Sequence, residues 1–264
     1  MENNPLRRII TKSFDVNKLC SYGIVLYCKS TKRWVMVRRK HSIEYVMLFK
    51  GYYENSMVPV LLKGMTSEEI ANVKRFLGNS QIFYHEIRNI TGKKNYRVLN
   101  HCHDHFVASR PIIIQTLRIL EEEGYKFHGL QWEWPKGMSN KNETGYESAM
   151  REFSEEVGFD LGELEIPSEN VYQLRPFQRN YTDKIIELHY WLVLVDEEFP
   201  IYDPGLDLDN NEVSERKWMS EGEVYEALSI RRSSLMHNEP MIVHASEQLK
   251  CIFETCLKLI YDGR

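Results

Sequence analysis

The sequence has no apolar run approaching the roughly 18 residues that a membrane span requires. Its opening stretch, MENNPLRRIITKSF, lacks the apolar core of a secretory leader. Neither a membrane partner nor secretion is therefore expected. The five cysteines, Cys20, Cys28, Cys102, Cys251 and Cys256, form no paired framework, and no C-x-x-C pair offers zinc-finger spacing. A disulfide scaffold is excluded, and a reducing, cytoplasmic compartment is the simple expectation. What the chain does have is an apolar share of 42% over 264 residues. That is enough for a packed core in one large domain, or in one domain with an insertion.

Net charge is also small, at −4, but it is unevenly spread. Residues 1–130 hold 21 Lys+Arg against 11 Asp+Glu, a net of +10, and residues 131–264 hold 13 against 27, a net of −14. A basic front and an acidic back suggest a polyanion-binding surface beside a carboxylate centre. Ordinary surface charge unevenly distributed is the alternative.

The acidic half contains the stretch around which the chain is organised, GMSNKNETGYESAMREFSEEVGF from Gly137 to Phe159. Thr144 followed three residues later by Glu147 is a capping box, which starts a helix at about Gly145, and Gly158 suits its left-handed C-cap. Within that helix Glu152, Glu155 and Glu156 stand at i, i+3 and i+4, so three carboxylates share one face. Ala149, Phe153 and Val157 on the opposite face can meet a core. Clustered carboxylates in the last helical turn repel one another and the negative helix end. A divalent cation would offset that cost, and oxygen-only ligands favour Mg²⁺ or Mn²⁺ over zinc. Arg151 can hold a carboxylate in a bidentate fork.

Read as Gly, five residues, Glu, seven residues, then REFSEEVGF, this stretch resembles the full signature of the Nudix hydrolases. The resemblance implies an α/β fold, the Nudix α/β/α sandwich with a mixed sheet. It also implies that Glu152, Glu155 and Glu156 ligate the metal, with the main-chain carbonyl of Gly137 as a further ligand. Glu143 would support the site through an indirect or water-mediated contact, and Arg151 would orient the glutamates. The implied reaction is attack of a metal-activated water on a diphosphate linked to another group.

Two β-rich segments, Cys20 to Cys28 and Arg33 to Lys40, are joined by a four-residue hairpin loop and suit the first strands of such a sheet. Nearly a hundred residues then intervene before WEWPKG at 132–137. This segment, 41–129, reads as an inserted, mainly helical subdomain, with the Nudix domain as 1–40 and 130–264. Thr66 and Glu69 form a capping box for a helix closed by Gly78, and Pro111 suits the first position of another that ends before Gly124. Between helices, Arg88, Lys93, Lys94, Tyr96 and Arg97 mix basic and aromatic side chains, a composition that binds phosphates and stacks on bases. A solvated basic loop is the alternative. His101, His103 and His105 alternate as on one face of an extended segment, and contact with RNA phosphate or simple packing is a better reading than zinc.

Downstream, Val171 to Tyr181 and Ile185 to Val195 read as a hairpin, with Phe177 and Tyr181 as candidates for base stacking. A strand from Glu212 to Trp218 leads into a helix capped by Ser220 and Glu223. Some Nudix enzymes use a downstream glutamate as a ligand or general base; Glu212 matches that placement, and Glu215 competes for it. A last helix, about Asn238 to Ile260, carries the stripe Ile242, Ala245, Leu249, Ile252, Cys256 and Ile260.

A Nudix domain split after its second strand, entered through WEWPKG and closed by a long helix after Arg231-Arg232-Ser233-Ser234-Leu235, resembles the mRNA-decapping enzymes of large cytoplasmic DNA viruses. The African swine fever virus type is nearest and the poxvirus enzymes are more distant. The resemblance implies removal of the 5′ cap of mRNA, release of 7-methylguanosine diphosphate, RNA binding by the helical subdomain and action in a host cytoplasm. Capped mRNA is then the expected partner, with no obligatory protein partner. The acidic loop Asp203 to Asn211 departs from that pattern and would not favour RNA nearby. A small-molecule Nudix enzyme for diphosphoinositol or dinucleoside polyphosphates is the alternative. A non-catalytic RNA-binding Nudix fold is less consistent with the intact glutamates.

Overall fold

The computed structural model describes residues 19–51, 53–91, 95–127, 129–181, 184–201, 212–229 and 241–262. Two compact units emerge among them, one built from the segments up to Arg38, Trp132–Ile230 and His244 onward, the other from Arg39–Gln131 and Arg231–Val243.

The first unit is centred on β1 (Leu19–Cys28) and β2 (Arg33–Arg39), an antiparallel pair close to the expected strands. The second unit interrupts the chain here with α1 (Ile43–Lys50), α2 (Val58–Gly64), α3 (Ser67–Gly78), α4 (Ser80–Thr91) and α5 (Tyr96–Glu122). The first unit resumes with β3 (Trp132–Glu133), β4 (Lys136–Met138), α6 (Gly145–Val157), β5 (Val171–Gln173), β6 (Phe177–Tyr181) and β7 (Lys184–Val195). It ends with β8 (Val213–Ser220), α7 (Glu221–Leu228) and α8 (Met241–Asp262).

The sheet is mixed. Its path runs β3-β2-β1-β7-β5, with β4 paired to β1, β6 to β7 and β8 to β2. β1 and β7 are parallel in register from Leu19 opposite Ile186 to Cys28 opposite Val195, and β4 lies antiparallel to β1. Alternation along β1 divides the core between the two faces of the sheet. Ile24, Leu26 and Cys28 pack with Ala149, Phe153 and Val157 of α6, all fully buried. Val25 and Tyr27 pack on the other face with Val224 and Leu228 of α7 and Leu249, Ile252, Phe253 and Cys256 of α8. The expected α/β/α sandwich is therefore present. The stripe on the last helix holds for Leu249, Ile252 and Cys256, while its expected start at Asn238 and the side chains of Ile242 and Ala245 lie outside the described residues.

One strand expectation is corrected. Val171 to Tyr181 is not one strand but β5 and β6. Opposite β7, the step from Gln173 to Phe177 is four residues, while the partner step from Trp191 to Leu188 is three. The extra residue is a bulge that ends one ladder and starts the next, leaving Leu174 buried and bonded through its N–H to the Tyr190 carbonyl. Phe177 packs against the sheet core rather than presenting a free ring, and the Tyr181 side chain lies outside the described residues.

The unit of α1–α5 has an aromatic core in which Phe49 meets Phe76 at 5.2 Å, Phe83 at 5.2 Å and Phe106 at 5.7 Å between ring centroids. Glu69 ties two helix starts together. Besides closing the Thr66 capping box, its carboxylate accepts from the N–H of Ser42 at 2.7 Å and from its hydroxyl at 2.8 Å. Pro111 does not begin a helix, because α5 runs through it from Tyr96. Leu99, Cys102, Phe106, Ile113, Leu117 and Leu120 form one buried stripe that crosses the proline, and this burial outweighs the hydrogen bond that the ring removes. The histidines are likewise helical rather than extended. His103 stacks on Tyr84 at 4.9 Å and His105 meets Tyr53 edge-on at 4.5 Å, so these two pack in the unit.

Candidate active site

The local chemistry of α6 follows the sequence. Thr144 and Glu147 make both halves of the capping box, and Gly158 closes the helix at φ 77°. Glu152, Glu155 and Glu156 then fall on one side of the last turns, but their environments differ. Glu155 is exposed, Glu152 is mostly covered, and Glu156 is buried with 6% of its surface accessible.

Glu156 points into the loop that carries WEWPKG. Its Oε2 accepts from the Lys136 N–H at 3.0 Å, which anchors the start of β4. Lys136 itself pairs with the buried Glu133, three residues back on the same loop. The next residue, Gly137, faces Glu152 so closely that a Cβ there would lie 2.1 Å from the carboxylate carbon. Any side chain at 137 would displace the Glu152 carboxylate from its place against the Gly137 main chain.

Arg151 organises the acidic face. It forms a fork with Glu143, Nε donating to Oε1 at 2.8 Å and a terminal nitrogen to Oε2 at 3.1 Å. Its other terminal nitrogen donates to Glu152 at 2.7 Å and to Glu155 at 3.0 Å, and a further bond reaches the Met138 carbonyl at 2.9 Å. The fork anticipated from sequence is thus made with Glu143, eight residues earlier. Through Arg151, Glu143 bears indirectly on Glu152 and Glu155.

The Arg151 guanidinium, with help from the Asn140 N–H, holds the Glu143 carboxyl down at about 2, and the arginine is in turn raised above its usual value. The folded value of Glu143 lies below its ordinary 4.5, so the support it gives the fold is complete above pH 4.5 and is lost as pH falls through about 2. An NMR titration of the metal-free protein should show the Glu143 carboxyl still ionised at pH 3.

Glu152 behaves in the opposite way. Burial raises its pKa first, Arg151 restrains the rise, and the charges of Glu155 and Glu212 add to it. Glu212, just before β8, is therefore drawn into the same field, whereas Glu215 pairs with Arg38 at 2.5 Å. Three carboxylates, Glu143, Glu152 and Glu155, converge on Arg151, all the donors are oxygen, and the pKa of Glu152 is raised. This set fits a hard divalent cation such as Mg²⁺ or Mn²⁺, with Glu152, Glu155 and Glu156 as the residues that would hold it.

One supporting residue was not anticipated. Arg216 of β8 is buried and donates to the main-chain carbonyls of Glu156 and, at 3.5 Å, Glu155. A cation at the carbonyl end of α6 satisfies otherwise orphaned acceptors and opposes the negative helix end. The available signal was the alternation that puts Arg216 on the same strand face as Trp218. Arg216→Met should lower stability by about 1–3 kcal/mol, the cost of leaving buried acceptors unpaired, readable as a lower urea midpoint.

The basic group proposed for RNA is only partly within view. Arg88 ends α4, and Tyr96 and Arg97 open α5; Lys93 and Lys94 lie outside the described residues. The Arg88 guanidinium sits 5.0 Å from the Tyr96 ring centre, and Tyr96 is 67% exposed.

Residues 112–238 match the model of the NUDIX domain. The match leaves out β1 and β2, which the inserted helices separate from the rest. Among curated proteins none matches. Solved structures similar to the chain include a MutT/nudix family protein of Enterococcus faecalis, at 14% identity and TM-score 0.35, covering 81% of this chain and 48% of that one. The chain thus spans about half the length of that relative. Another is an Ap4A hydrolase of C. elegans, at 11% identity and TM-score 0.39, covering 90% of this chain and 98% of that one. The NUDIX domain of Shewanella oneidensis NrtR, solved with ADP ribose, shows 11% identity and TM-score 0.36 over 96% of this chain and 94% of its own. The capped helix, its three glutamates, the arginine fork and the glycine facing Glu152 all lie within the matched span, and residues 112–238 are those of a NUDIX domain.

Proposed function

We propose that the chain is a metal-dependent Nudix pyrophosphatase that removes the 5′ cap of mRNA, releasing 7-methylguanosine diphosphate and 5′-monophosphate RNA. The observation that carries this reading is the interruption of the Nudix unit after β2 by a separate helical unit, within a front half whose net charge is +10, from 21 basic and 11 acidic residues. A free nucleotide needs no such surface, whereas an RNA body makes many phosphate contacts. The resemblance of the split domain to the decapping enzymes of large cytoplasmic DNA viruses supports the same reading.

In this proposal, Glu152, Glu155 and Glu156 hold the cation and Arg151 keeps Glu143, Glu152 and Glu155 in position. Glu212 accepts a proton from the attacking water in this reading, a role supported by the influence of its charge on Glu152. When bound, a divalent cation supplies charge neutralisation on the phosphates and a lower pKa for water. Arg88, Lys93, Lys94, Tyr96 and Arg97 contact the RNA body, Tyr96 by stacking and the cations through phosphate.

The test uses RNAs of increasing length, each with a cap labelled on its phosphates, incubated with Mg²⁺ or Mn²⁺ and wild-type or Glu155→Gln protein. Release of 7-methylguanosine diphosphate by wild type alone, faster with longer RNA, is the expected result. Hydrolysis of dinucleoside or inositol polyphosphates with no release from capped RNA would overturn the decapping reading and leave a small-molecule Nudix enzyme.

A further inference from the structure

Besides the glutamates of α6, a second set of donors meets on the same side of the sheet. In the parallel pair β1–β7, Cys20 lies opposite Glu187 and Tyr22 opposite His189. Alternation puts Cys20 and Tyr22 on the face of Ile24, Leu26 and Cys28, and Glu187 and His189 on the face of Trp191, Val193 and Val195, which is the face covered by α6. One ligand atom from each of Cys20, Glu187 and His189 lies within 4.8 Å of the others. All three residues are half-buried, so the cluster is not a chance meeting of long surface side chains.

We propose that Cys20, Glu187 and His189 form a second cation site, selective for a borderline ion of the Zn²⁺ type. The donor set carries the choice. A thiolate, an imidazole and a carboxylate suit Zn²⁺ and are poorly matched to Mg²⁺, the reverse of the all-oxygen set on α6. Three protein ligands leave the fourth tetrahedral position to water or an outside donor. Ligand atoms at tetrahedral spacing would stand about 3–4 Å apart given metal–ligand bonds of about 2.0–2.3 Å. His189 Nε2 and Glu187 Oε2, at 3.1 Å, are already at that spacing.

Tyr22 supplies the surround. Its ring stacks on His189 with centroids 5.1 Å apart, fixing the plane of the imidazole. Its hydroxyl hydrogen bonds with Cys20. A tyrosine hydroxyl can donate to a thiolate that ligates a metal, the kind of outer contact that fixes a ligand's direction. The opposite strand places this cluster beside the glutamate site, since Tyr22 is paired with Gly137, the residue against which Glu152 packs.

The site is testable without any assay of hydrolysis. The full-length protein, stripped of metal, is titrated with Co²⁺ in the presence of excess Mg²⁺, and the thiolate-to-cobalt charge-transfer band in the near ultraviolet is followed. The expected result is a band that saturates at one equivalent, is displaced by Zn²⁺ and survives the Mg²⁺. Cys20→Ser and His189→Ala should each abolish it, while Cys251→Ser, which removes an exposed cysteine, and Glu155→Gln should leave it unchanged. Thermal melts of the four variants separate loss of a ligand from loss of fold. Absence of the band in wild type, or its persistence in folded Cys20→Ser, would overturn the proposal. Because Glu155→Gln tests the α6 glutamates separately, failure here is distinguishable from failure of the decapping reading.

Discussion

Glu156→Gln should yield a folded protein whose kcat for diphosphate hydrolysis is lower by about 10³-fold, several kcal/mol of lost charge stabilisation at about 1.4 kcal/mol per decade. Glutamine has nearly the same shape as glutamate, and its amide oxygen can still accept from the Lys136 N–H that Glu156 now holds at 3.0 Å. The anchor of β4 is therefore kept and the negative charge is lost. Because Glu156 is buried one helical turn from Glu152 and near a helix C-terminus, removing that charge also relieves repulsion in the metal-free protein. Stability without metal should be equal or higher, and the gain in melting temperature on adding Mg²⁺ or Mn²⁺ should shrink. Thermal melts with and without metal, run beside kcat, check both parts; an unchanged kcat would remove Glu156 from the catalytic set.

Gly137→Ala should be nearly as damaging to turnover while costing little stability. The added methyl would stand 2.1 to 2.3 Å from the three carboxyl atoms of Glu152, so one group must move. Glu152 is the end of a flexible side chain and moves more easily than the β4 backbone, which is paired to β1 through Tyr22 and anchored by Glu156. Glu152 would leave its place beside Arg151, and a displacement of about 1 Å in a positioning group can cost about 10²-fold in rate. The check is kcat at saturating metal alongside a urea midpoint. A large fall in the midpoint with kcat per folded molecule intact would show that the backbone, not Glu152, had given way.

How legible each part was from sequence depends on the range of the forces involved. The capping boxes at Thr66, Thr144 and Ser220 were read correctly because each is closed between residues three apart. The glutamate face of α6 was legible for the same reason, since helical spacing alone brings Glu152, Glu155 and Glu156 together. Pro111 misled because its local preference is outweighed by a buried stripe running the length of α5. Val171 to Tyr181 misled because the bulge that divides it is defined by the partner strand, β7.

The sequence by itself determined the acidic helix, the donor chemistry that suits a hard cation, and the unequal charge of the two halves. Only the tertiary structure decided which groups meet those carboxylates. It brought Arg216 from β8 to the carbonyl end of α6, closed the Arg151 fork on Glu143, and set Gly137 against Glu152. It also joined Cys20 to Glu187 and His189 across a parallel strand pair. The physical reason is that helix periodicity is written into neighbouring residues, whereas strand register is settled by which buried faces fit together, and no spacing within one segment records its partner.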